Sequence, residues 1–311
     1  MVSPSRDFFI ERIRVFNHTL QSQILLDNAL TDIDHNERAR FLRNGLSITA
    51  FNILEDFIKT RIGEVLSIIS NSGVSFSRLP EKIQEISLLS SLRGVHRVSK
   101  RKKDNNEDWK LFIQQETAKI SSTISSPFTL SQYSIGWENS NLSKTDIEAF
   151  WAYFKAANLW ANVNGITRVI GHTIPFPDQF FQNAALRRHA AAHDPNSIVL
   201  FPDLEAYGLS VKSFAFALDA LLSQSARFIL DKDSHYLTTD KKISFTDIKI
   251  RFIKKVNNQF KEMSQNNARC IGLFTTMDDA VRSLRGRHNY NNEFIVVSET
   301  STNTLHWFTG F

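Results

Sequence analysis

The apolar residues between Glu37 and Ser70 recur at steps of three and four residues, which is the spacing of one face of an α-helix. The members of this stripe are Leu54, Phe57, Ile58, Ile62, Val65, Leu66 and Ile69. A helix of this length extends for about 50 Å and can bury its stripe only against other long elements. The pattern therefore predicts a core-forming helix in a mainly α chain.

Further apolar repeats predict shorter helices along the first 234 residues. These repeats run from Pro80 to Leu89, from Ser143 to an end near Asn164-Gly165, and from Leu209 to Leu230. The charged stretch Ser99 to Lys110 contains too few apolar residues for a core element, so we predict an exposed loop there. Residues 127 to 143 have no clear period and predict an irregular excursion or a short hairpin.

The pattern changes beyond Lys232 to Lys242, a polar and charged stretch that predicts a linker. Alternating or β-branched runs then predict strands, and one apolar repeat predicts a helix. The strands are expected at Ile243 to Ile253, Glu293 to Val297 and Thr304 to Phe308, and the helix at Met277 to Leu284. We therefore predict a helical domain over residues 1–234 and a small basic α/β domain over residues 235–311.

The composition fits a folded protein without a membrane segment. Hydrophobic residues make up 42% of the 311 residues, which is enough for a substantial core. Met1 to Phe16 mixes charged and apolar residues, so it predicts neither a signal peptide nor a membrane span. Cys270 is the single cysteine, which excludes an internal disulfide. Both observations favour a cytoplasmic location, where thiols stay reduced.

The formal net charge of +5 is unevenly distributed along the sequence. Residues 1–234 contain 26 Lys/Arg and 25 Asp/Glu, whereas residues 235–311 contain 11 and 7. A basic module beside a nearly neutral one suggests a polyanionic partner. Its densest basic cluster consists of Arg282, Arg285, Arg287 and His288, with Tyr290 nearby. This cluster predicts either an RNA contact or a solvated loop.

One segment, Asn183 to Pro195, offers most of the reactive chemistry in the sequence. Its polar groups are two arginines and two histidines, namely Arg187, Arg188, His189 and His193. Alanine and leucine favour a helix, and Asp194-Pro195 ends it because the residue before proline leaves the helical region. Histidine exchanges protons near neutral pH, and arginine binds phosphate and neutralises its charge. The segment therefore predicts a cationic, titratable helix end.

The spacing of Arg188 and His193 favours a site shared by two chains. Four residues separate them, so they lie about 140° apart around an ideal helix. A single chain would not clamp one phosphate between them. A second copy across a two-fold axis would bring two arginines and two histidines to one phosphodiester. We therefore expect a homodimer whose two helix ends face each other.

The run Arg188-His189-Ala190-Ala191-Ala192-His193 resembles the Arg-x4–6-His signature of HEPN domains. The particular similarity is to the RiboL-PSP-HEPN and related stand-alone HEPN proteins of prokaryotic defence and toxin systems. The surroundings are also similar, with Glu55 inside the apolar stripe of a long upstream helix, the motif at a helix end, and an apolar helix after it. The resemblance covers about residues 1 to 234.

The resemblance implies a HEPN-like α-helical bundle that dimerises with its two motifs facing each other. It implies metal-independent endoribonuclease activity on RNA, in which the ribose 2′-hydroxyl attacks its own phosphate. Arg188 and His193 would be catalytic, and His189 would occupy the polar supporting position, where many members carry Asn or Asp. Arg187, Arg282, Arg285 and Arg287 are further candidate RNA-binding residues. An antitoxin or regulatory partner chain fits the same family setting.

The bare pattern also matches two other stretches of the chain, Arg12 to His18 and Arg282 to His288. Ile13, Val15 and Phe16 predict that the first is a terminal helix packed on the core. Gly286 and the following asparagines predict that the second is a loop. Only the central match combines a strong helix, a defined end and a helical context.

Other interpretations of the central segment remain open. His189, His193 and Asp194 could bind a metal, but no further Cys or His pair lies nearby, so we expect neither a metal nor a cofactor. The cations could instead complement the dipole of a solvated helix end. A second hypothesis is a non-catalytic helical dimerisation module that binds nucleic acid or a partner protein through the basic tail.

Two lesser features have structural explanations. Lys100 to Lys103 is followed at once by Asp104, Glu107 and Asp108, which favours a solvated loop over an RNA contact. Trp151 and Trp160 occur at helical spacing with other aromatic residues, which favours the core over a stacking surface.

Overall fold

The computed structural model describes residues 3–137, 141–264, 269–287, 293–299 and 305–309. The helices before the motif are α1 (Pro4–Thr19), α2 (Ile33–Ser70), α3 (Glu81–Glu85), α4 (Ser91–Asp104), α5 (Trp109–Ser122), α6 (Lys144–Tyr153) and α7 (Leu159–Val169). The motif helix is α8 (Pro177–His193), and α9 (Phe201–Leu230), α10 (Ser234–Thr238) and α11 (Met277–Arg285) follow it. The strands are β1 (Ile250–Val256), β2 (Gln259–Met263), β3 (Cys270–Phe274), β4 (Phe294–Glu299) and β5 (Leu305–Phe308).

The strands form a five-stranded sheet in the order β3-β2-β1-β4-β5. β1 and β4 are parallel, and the other neighbouring strands are antiparallel. The chain passes from β3 to β4 through α11, which supplies the long connection that a return to the far side of β1 requires. A small mixed sheet with one helix therefore follows the helical bundle, as the sequence predicted.

α9 is the central helix of the bundle. Every residue from Val211 to Arg227 is buried, which is typical of a helix enclosed on all sides. α2 packs along α9 and also contacts α1 and α8. The whole stripe predicted for α2 is buried. Each such side chain contributes about 1.5–3 kcal/mol when it is fully buried. The helices and the small sheet after them confirm the prediction of a mainly α fold with a small C-terminal α/β module.

A buried ionic contact connects the bundle to the sheet, and we call Arg61, Asp219 and Trp307 the bundle–sheet junction. Arg61 Nε donates to one carboxylate oxygen of Asp219 at 2.7 Å, and Trp307 Nε1 donates to the other at 2.7 Å. Burial raises the pKa of Asp219, but the guanidiniums of Arg61 and Arg6 outweigh burial and hold that pKa below its ordinary value. The charged carboxylate therefore joins α2, α9 and β5.

The two faces of the sheet pack against different partners. One face, including Phe252, Phe294 and Trp307, belongs to the same hydrophobic core as the bundle. The other face forms a smaller core with α11 through residues such as Ile295 and Val281. The proposed division at residue 234 stays a prediction.

The prediction of an exposed loop at Ser99 to Lys110 was wrong. α4 continues to Asp104, and Asp108 caps the start of α5 by accepting from the backbone N–H of Leu111. The narrow apolar side of α4, with Val95 and Val98, packs against Phe112. Gly94 lies so close to Tyr133 that an added Cβ would approach its carbonyl oxygen to 2.2 Å. This apolar side involves so few residues that the charged sequence does not reveal it as a helical repeat.

The apolar repeat after Ser143 forms two helices rather than one. The capping box of Ser143 and Asp146 starts α6 as predicted, but Lys155 and Asn158 adopt left-handed backbone conformations between α6 and α7. α7 then continues through Gly165, where the prediction had placed an end. The Phe245 ring lies against that glycine, and an added Cβ would come within 2.6 Å of it.

The predicted linker Lys232 to Lys242 contains the short helix α10. The hydroxyl of the buried Tyr236 lies 2.6 Å from Ser225 Oγ and 3.0 Å from the carbonyl oxygen of Phe154, which fixes α10 on the bundle. The first strand begins at Ile250 rather than Ile243, whereas β4, β5 and α11 confirm the other predicted elements of the tail. Over the stretches that the structure describes, no helix has the length and apolar character needed to cross a bilayer.

Candidate functional site

α8 carries the motif, and its ends follow from its sequence. Pro177 occupies the first turn, where its fixed φ angle suits a helix start. His193 is the last helical residue, and Asp194 is already extended, as expected before Pro195. The predicted helix end is therefore confirmed.

One side of α8 anchors it in the bundle and leaves the other side exposed. Phe181 is fully buried, and its ring centroid lies 5.5 Å from that of Phe51 in α2 and 6.2 Å from that of Phe214 in α9. Outward-facing residues of α8 occur at helical spacing and include Gln182, Leu186, His189 and His193. Both motif histidines thus lie on the surface of a well-anchored helix.

Polar side chains of α2 hold the segment that follows the motif. Arg40 Nη1 donates to the Pro195 carbonyl at 2.9 Å. Asn44 Nδ2 donates to the Ser197 carbonyl at 2.8 Å, and its Oδ1 accepts from the backbone N–H of Val199 at 3.2 Å. These bonds fix the chain directly after His193. The sequence analysis did not identify these residues, although their positions interrupt the apolar face of a core helix.

A third residue of α2 strengthens this attachment. The Arg43 side chain is buried, and its Nε donates to the Val199 carbonyl at 2.9 Å. Its Nη1 reaches the Leu25 carbonyl and Asp27 at 2.8 and 2.9 Å. Arg43 therefore fastens the segment after α8 to the chain before α2.

Arg188 differs from Arg40, Arg43 and Arg187 because none of the described residues pairs with its guanidinium. Its Nε is buried without a hydrogen bond, and no hydrogen bond or ion pair joins the side chain to another residue among those described. The side chain lines a cavity of about 440 Å³ between α8 and residues 141–145, together with His189, Lys144 and Phe51. A half-buried cation that no described residue pairs suits an anionic ligand.

The two motif histidines lie side by side. Their ring centroids are 4.7 Å apart, and both residues are exposed. His189 also lines the Arg188 cavity, whereas His193 is outside it, one turn further along α8. The structure therefore brings Arg188 to His189, and His189 to His193, on a continuous surface.

Arg187 lies about 100° from Arg188 around α8 and faces a different part of the bundle. Its Nη1 lies 3.8 Å from Asp203 Oδ1 in α9, and it lines a separate cavity of about 340 Å³ with Tyr207 and Asn183. Asp203 therefore balances part of the Arg187 charge within the same chain. The structure therefore does not bring the predicted RNA-binding residue Arg187 to the Arg188 cavity.

The candidate arginines of the tail lie on or just after α11, so the predicted loop at Arg282 to His288 was wrong for its first half. Arg282 is exposed beside Asp279, and Arg282 and Arg285 line a cavity with Arg6 of α1. Arg287 Nη1 is bound to the buried Glu262 at 2.6 Å. His288 and Tyr290 lie outside the described residues.

The remaining candidates have structural roles. Glu55 is buried and paired with Lys59 at 2.7 Å. Asp194 Oδ1 accepts from the backbone N–H of Asn196 at 2.9 Å, so it caps a turn. Within the residues that the structure describes, no cluster of three or more His, Cys, Asp or Glu could hold a metal ion. Arg12 to His18 lies in α1, as predicted, and Trp151 is buried in the core.

The model of one protein family, RiboL-PSP-HEPN, matches residues 10–224. The matched region starts in α1, contains the whole of α8 and ends in α9. No curated protein and no solved structure matches the chain.

Proposed function

The chain belongs to the RiboL-PSP-HEPN family, and from this premise we propose that it is a metal-independent endoribonuclease with its active site at the end of α8. HEPN domains are often ribonucleases, and they often bind RNA and dimerise. The observation that carries the proposal is the unpartnered, half-buried guanidinium of Arg188 beside two exposed histidines.

The proposed reaction is an internal attack within RNA. The ribose 2′-oxygen bonds to the adjacent phosphorus and loses its proton, while the bond from phosphorus to the 5′-oxygen breaks and that oxygen gains a proton. The products are a 2′,3′-cyclic phosphate and a 5′-hydroxyl. Arg188 binds the phosphate and neutralises the charge that develops on it. His193 transfers the proton, because imidazole titrates near neutral pH.

A second copy of the chain completes the proposed site. Arg188 faces its cavity, and His193 lies on the outer face of α8 with His189 and Leu186. Two such faces related by a two-fold axis would present both histidine pairs to one phosphodiester. His189 supports the site from the position next to Arg188. A role in prokaryotic defence or as a toxin, an antitoxin partner and a cytoplasmic location follow from the family resemblance and the sequence alone.

The test is RNA cleavage in the presence of a chelator. Wild-type protein is expected to release cyclic-phosphate ends from single-stranded RNA, and Arg188→Ala or His193→Ala should reduce the rate by about 10²–10⁴-fold. Lys82→Ala removes an exposed cation from α3 and serves as the charge-matched control. Absence of wild-type cleavage would favour the non-catalytic dimerisation module, whereas loss of cleavage with chelator would exclude the metal-independent mechanism.

A further inference from the structure

A strongly basic cavity lies away from the motif, between α4, α2 and the chain around residue 137. Its volume is about 480 Å³. Among the described residues that line it, four of seven are Lys or Arg and one is acidic; the set comprises Lys59, Arg97, Val98, Lys100, Arg101, Asp104 and Trp137. This combination of cations and an aromatic ring is the composition expected of a nucleic-acid site.

α4 concentrates the positive charge of the protein. It contains six Lys/Arg and one Asp, a formal charge of +5, which equals the formal net charge of the whole chain. The sequence analysis assigned the excess charge to the tail because a division at residue 234 averages α4 with the acidic residues around it. In the folded chain these cations cover the exposed side of a single helix.

Nearby acids neutralise part of this charge and leave part of it available. Lys102 is paired with Glu107, and Lys59 is paired with Glu55. The side chains of Lys100 and Arg101 are exposed and make no hydrogen bond or ion pair with a described residue. The pKa of Glu107 is lowered mainly by its hydrogen bond from Lys102 and only slightly by the nearby charge of Arg101. Lys100 and Arg101 are therefore free to bind phosphate at the mouth of the cavity.

Trp137 gives the cavity an aromatic wall. Its ring packs edge-on against Tyr133, with 5.1 Å between centroids, and Lys59 Nζ lies 5.7 Å from its centroid. The indole Nε1 is buried and has no hydrogen-bond partner among the described residues, so the accessible part of the ring presents a stacking face rather than a donor.

We propose that this cavity and the exposed cations of α4 bind single-stranded RNA, with phosphates on Lys100 and Arg101 and a base stacked on Trp137. An acidic protein segment would complement the charge alone. Single-stranded RNA complements the charge and the aromatic wall together, because every base has a stacking face.

The position of Trp137 connects this surface to the Arg188 cavity. Asn141, four residues after Trp137, lines that cavity. The Cα atoms of these two residues lie within about 14 Å of each other, so an RNA strand that contacted both places would have only a short distance to bridge. This connection between the α4 surface and the Arg188 cavity rests on the proposed ribonuclease function. The α4 surface then guides the RNA that is cleaved at the end of α8.

Binding is measured by fluorescence anisotropy with labelled single-stranded RNA in a His193→Ala background, which keeps the RNA intact. Lys100→Gln/Arg101→Gln is expected to weaken binding roughly tenfold at physiological salt and to lower the slope of log K against log salt by about 1.4. The control is Arg14→Gln/Lys82→Gln, which removes the same charge from exposed ion pairs on α1 and α3. Equal losses in both double variants would overturn the inference.

Trp137 is tested in the same assay. Trp137→Leu should weaken binding at least about fivefold without changing the salt slope, whereas Trp137→Phe should retain most of the affinity because it keeps a stacking face. Thermal melts confirm that each variant is folded. If Phe and Leu at this position weaken RNA binding equally in folded proteins, the stacking role is wrong.

Cleavage kinetics separate this inference from the proposed function. Lys100→Gln/Arg101→Gln is expected to raise KM for a long RNA roughly tenfold, with kcat unchanged and with no effect on a trinucleotide that reaches only the Arg188 cavity. If wild-type protein binds RNA through α4 but cleaves none, the ribonuclease proposal fails and the binding site stands. If it cleaves RNA and the α4 variant matches the control, only the binding site fails.

Discussion

The bundle–sheet junction contains the buried Arg61, and the end of α8 contains the half-buried Arg188. The two places differ in how the positive charge is paired. At the junction, Arg61 binds Asp219, Glu64 and Ser223 at 2.7 to 2.9 Å. At the end of α8, Arg188 has no such partner among the described residues. A paired cation fixes the fold, whereas a half-buried cation without a described partner adds little to stability and remains available to a ligand. The contrast separates the structural arginine from the functional one.

The largest effect on stability is expected at the junction. Arg61→Ala leaves the Asp219 carboxylate buried without its main partner, which should lower the free energy of unfolding by about 3–5 kcal/mol. Denaturant unfolding measures this loss. Arg14→Ala, which breaks an exposed pair with Glu11, is the control and should leave the midpoint nearly unchanged. If Arg61→Ala and Arg14→Ala unfold at a similar denaturant midpoint, the junction does not stabilise the fold as proposed and the contrast between the two regions is wrong.

A smaller effect is expected where α2 holds the segment after α8. Asn44→Ala removes hydrogen bonds to Ser197 and Val199, so the free energy of unfolding should fall by about 1–3 kcal/mol. RNA cleavage should also slow, because the chain next to His193 loses its support. Asn52→Ala, on an exposed position of the same helix, is the matched control. Unchanged cleavage in a destabilised Asn44→Ala protein would show that this attachment is structural only.

The smallest effect on stability is expected at Arg188 itself. Arg188→Gln removes a cation that has no described partner, so unfolding should change by less than about 0.5 kcal/mol while RNA cleavage falls by at least about 10²-fold. Chemical denaturation and cleavage assays on one preparation measure both quantities. A clear loss of stability would instead support a structural role, such as a cation that complements the dipole at the end of α8.

Local patterns predicted the elements that depend on local chemistry. The stripe of α2, the capping residue Ser143 and the end of α8 before Pro195 all appear where the sequence indicated them. The predictions were wrong where a residue distant in the sequence determines the local conformation. Gly165 is helical because Phe245 packs on it, and α4 extends to Asp104 because a short apolar side suffices against Phe112 and Tyr133.

The candidate site was predictable as a list of residues but not as an arrangement. The run from Arg187 to His193 identified the motif and its family, since adjacent residues on one helix need no tertiary information. Arg187 and Arg188 line different cavities, and which cavity each one lines depends on the elements that pack beside α8. The support from Arg40, Arg43 and Asn44 comes from residues about 150 positions away in the chain.

The sequence by itself determined the mainly helical class, the helix that ends at His193 and the membership of the RiboL-PSP-HEPN family, because periodicity, capping and motif spacing are local properties. Only the tertiary structure decided which cations are paired. Asp219 approaches Arg61 across 158 positions and Asp203 approaches Arg187 from the next helix, whereas no described residue reaches Arg188. Charge pairing depends on distances in space, and those distances exist only once the helices have packed.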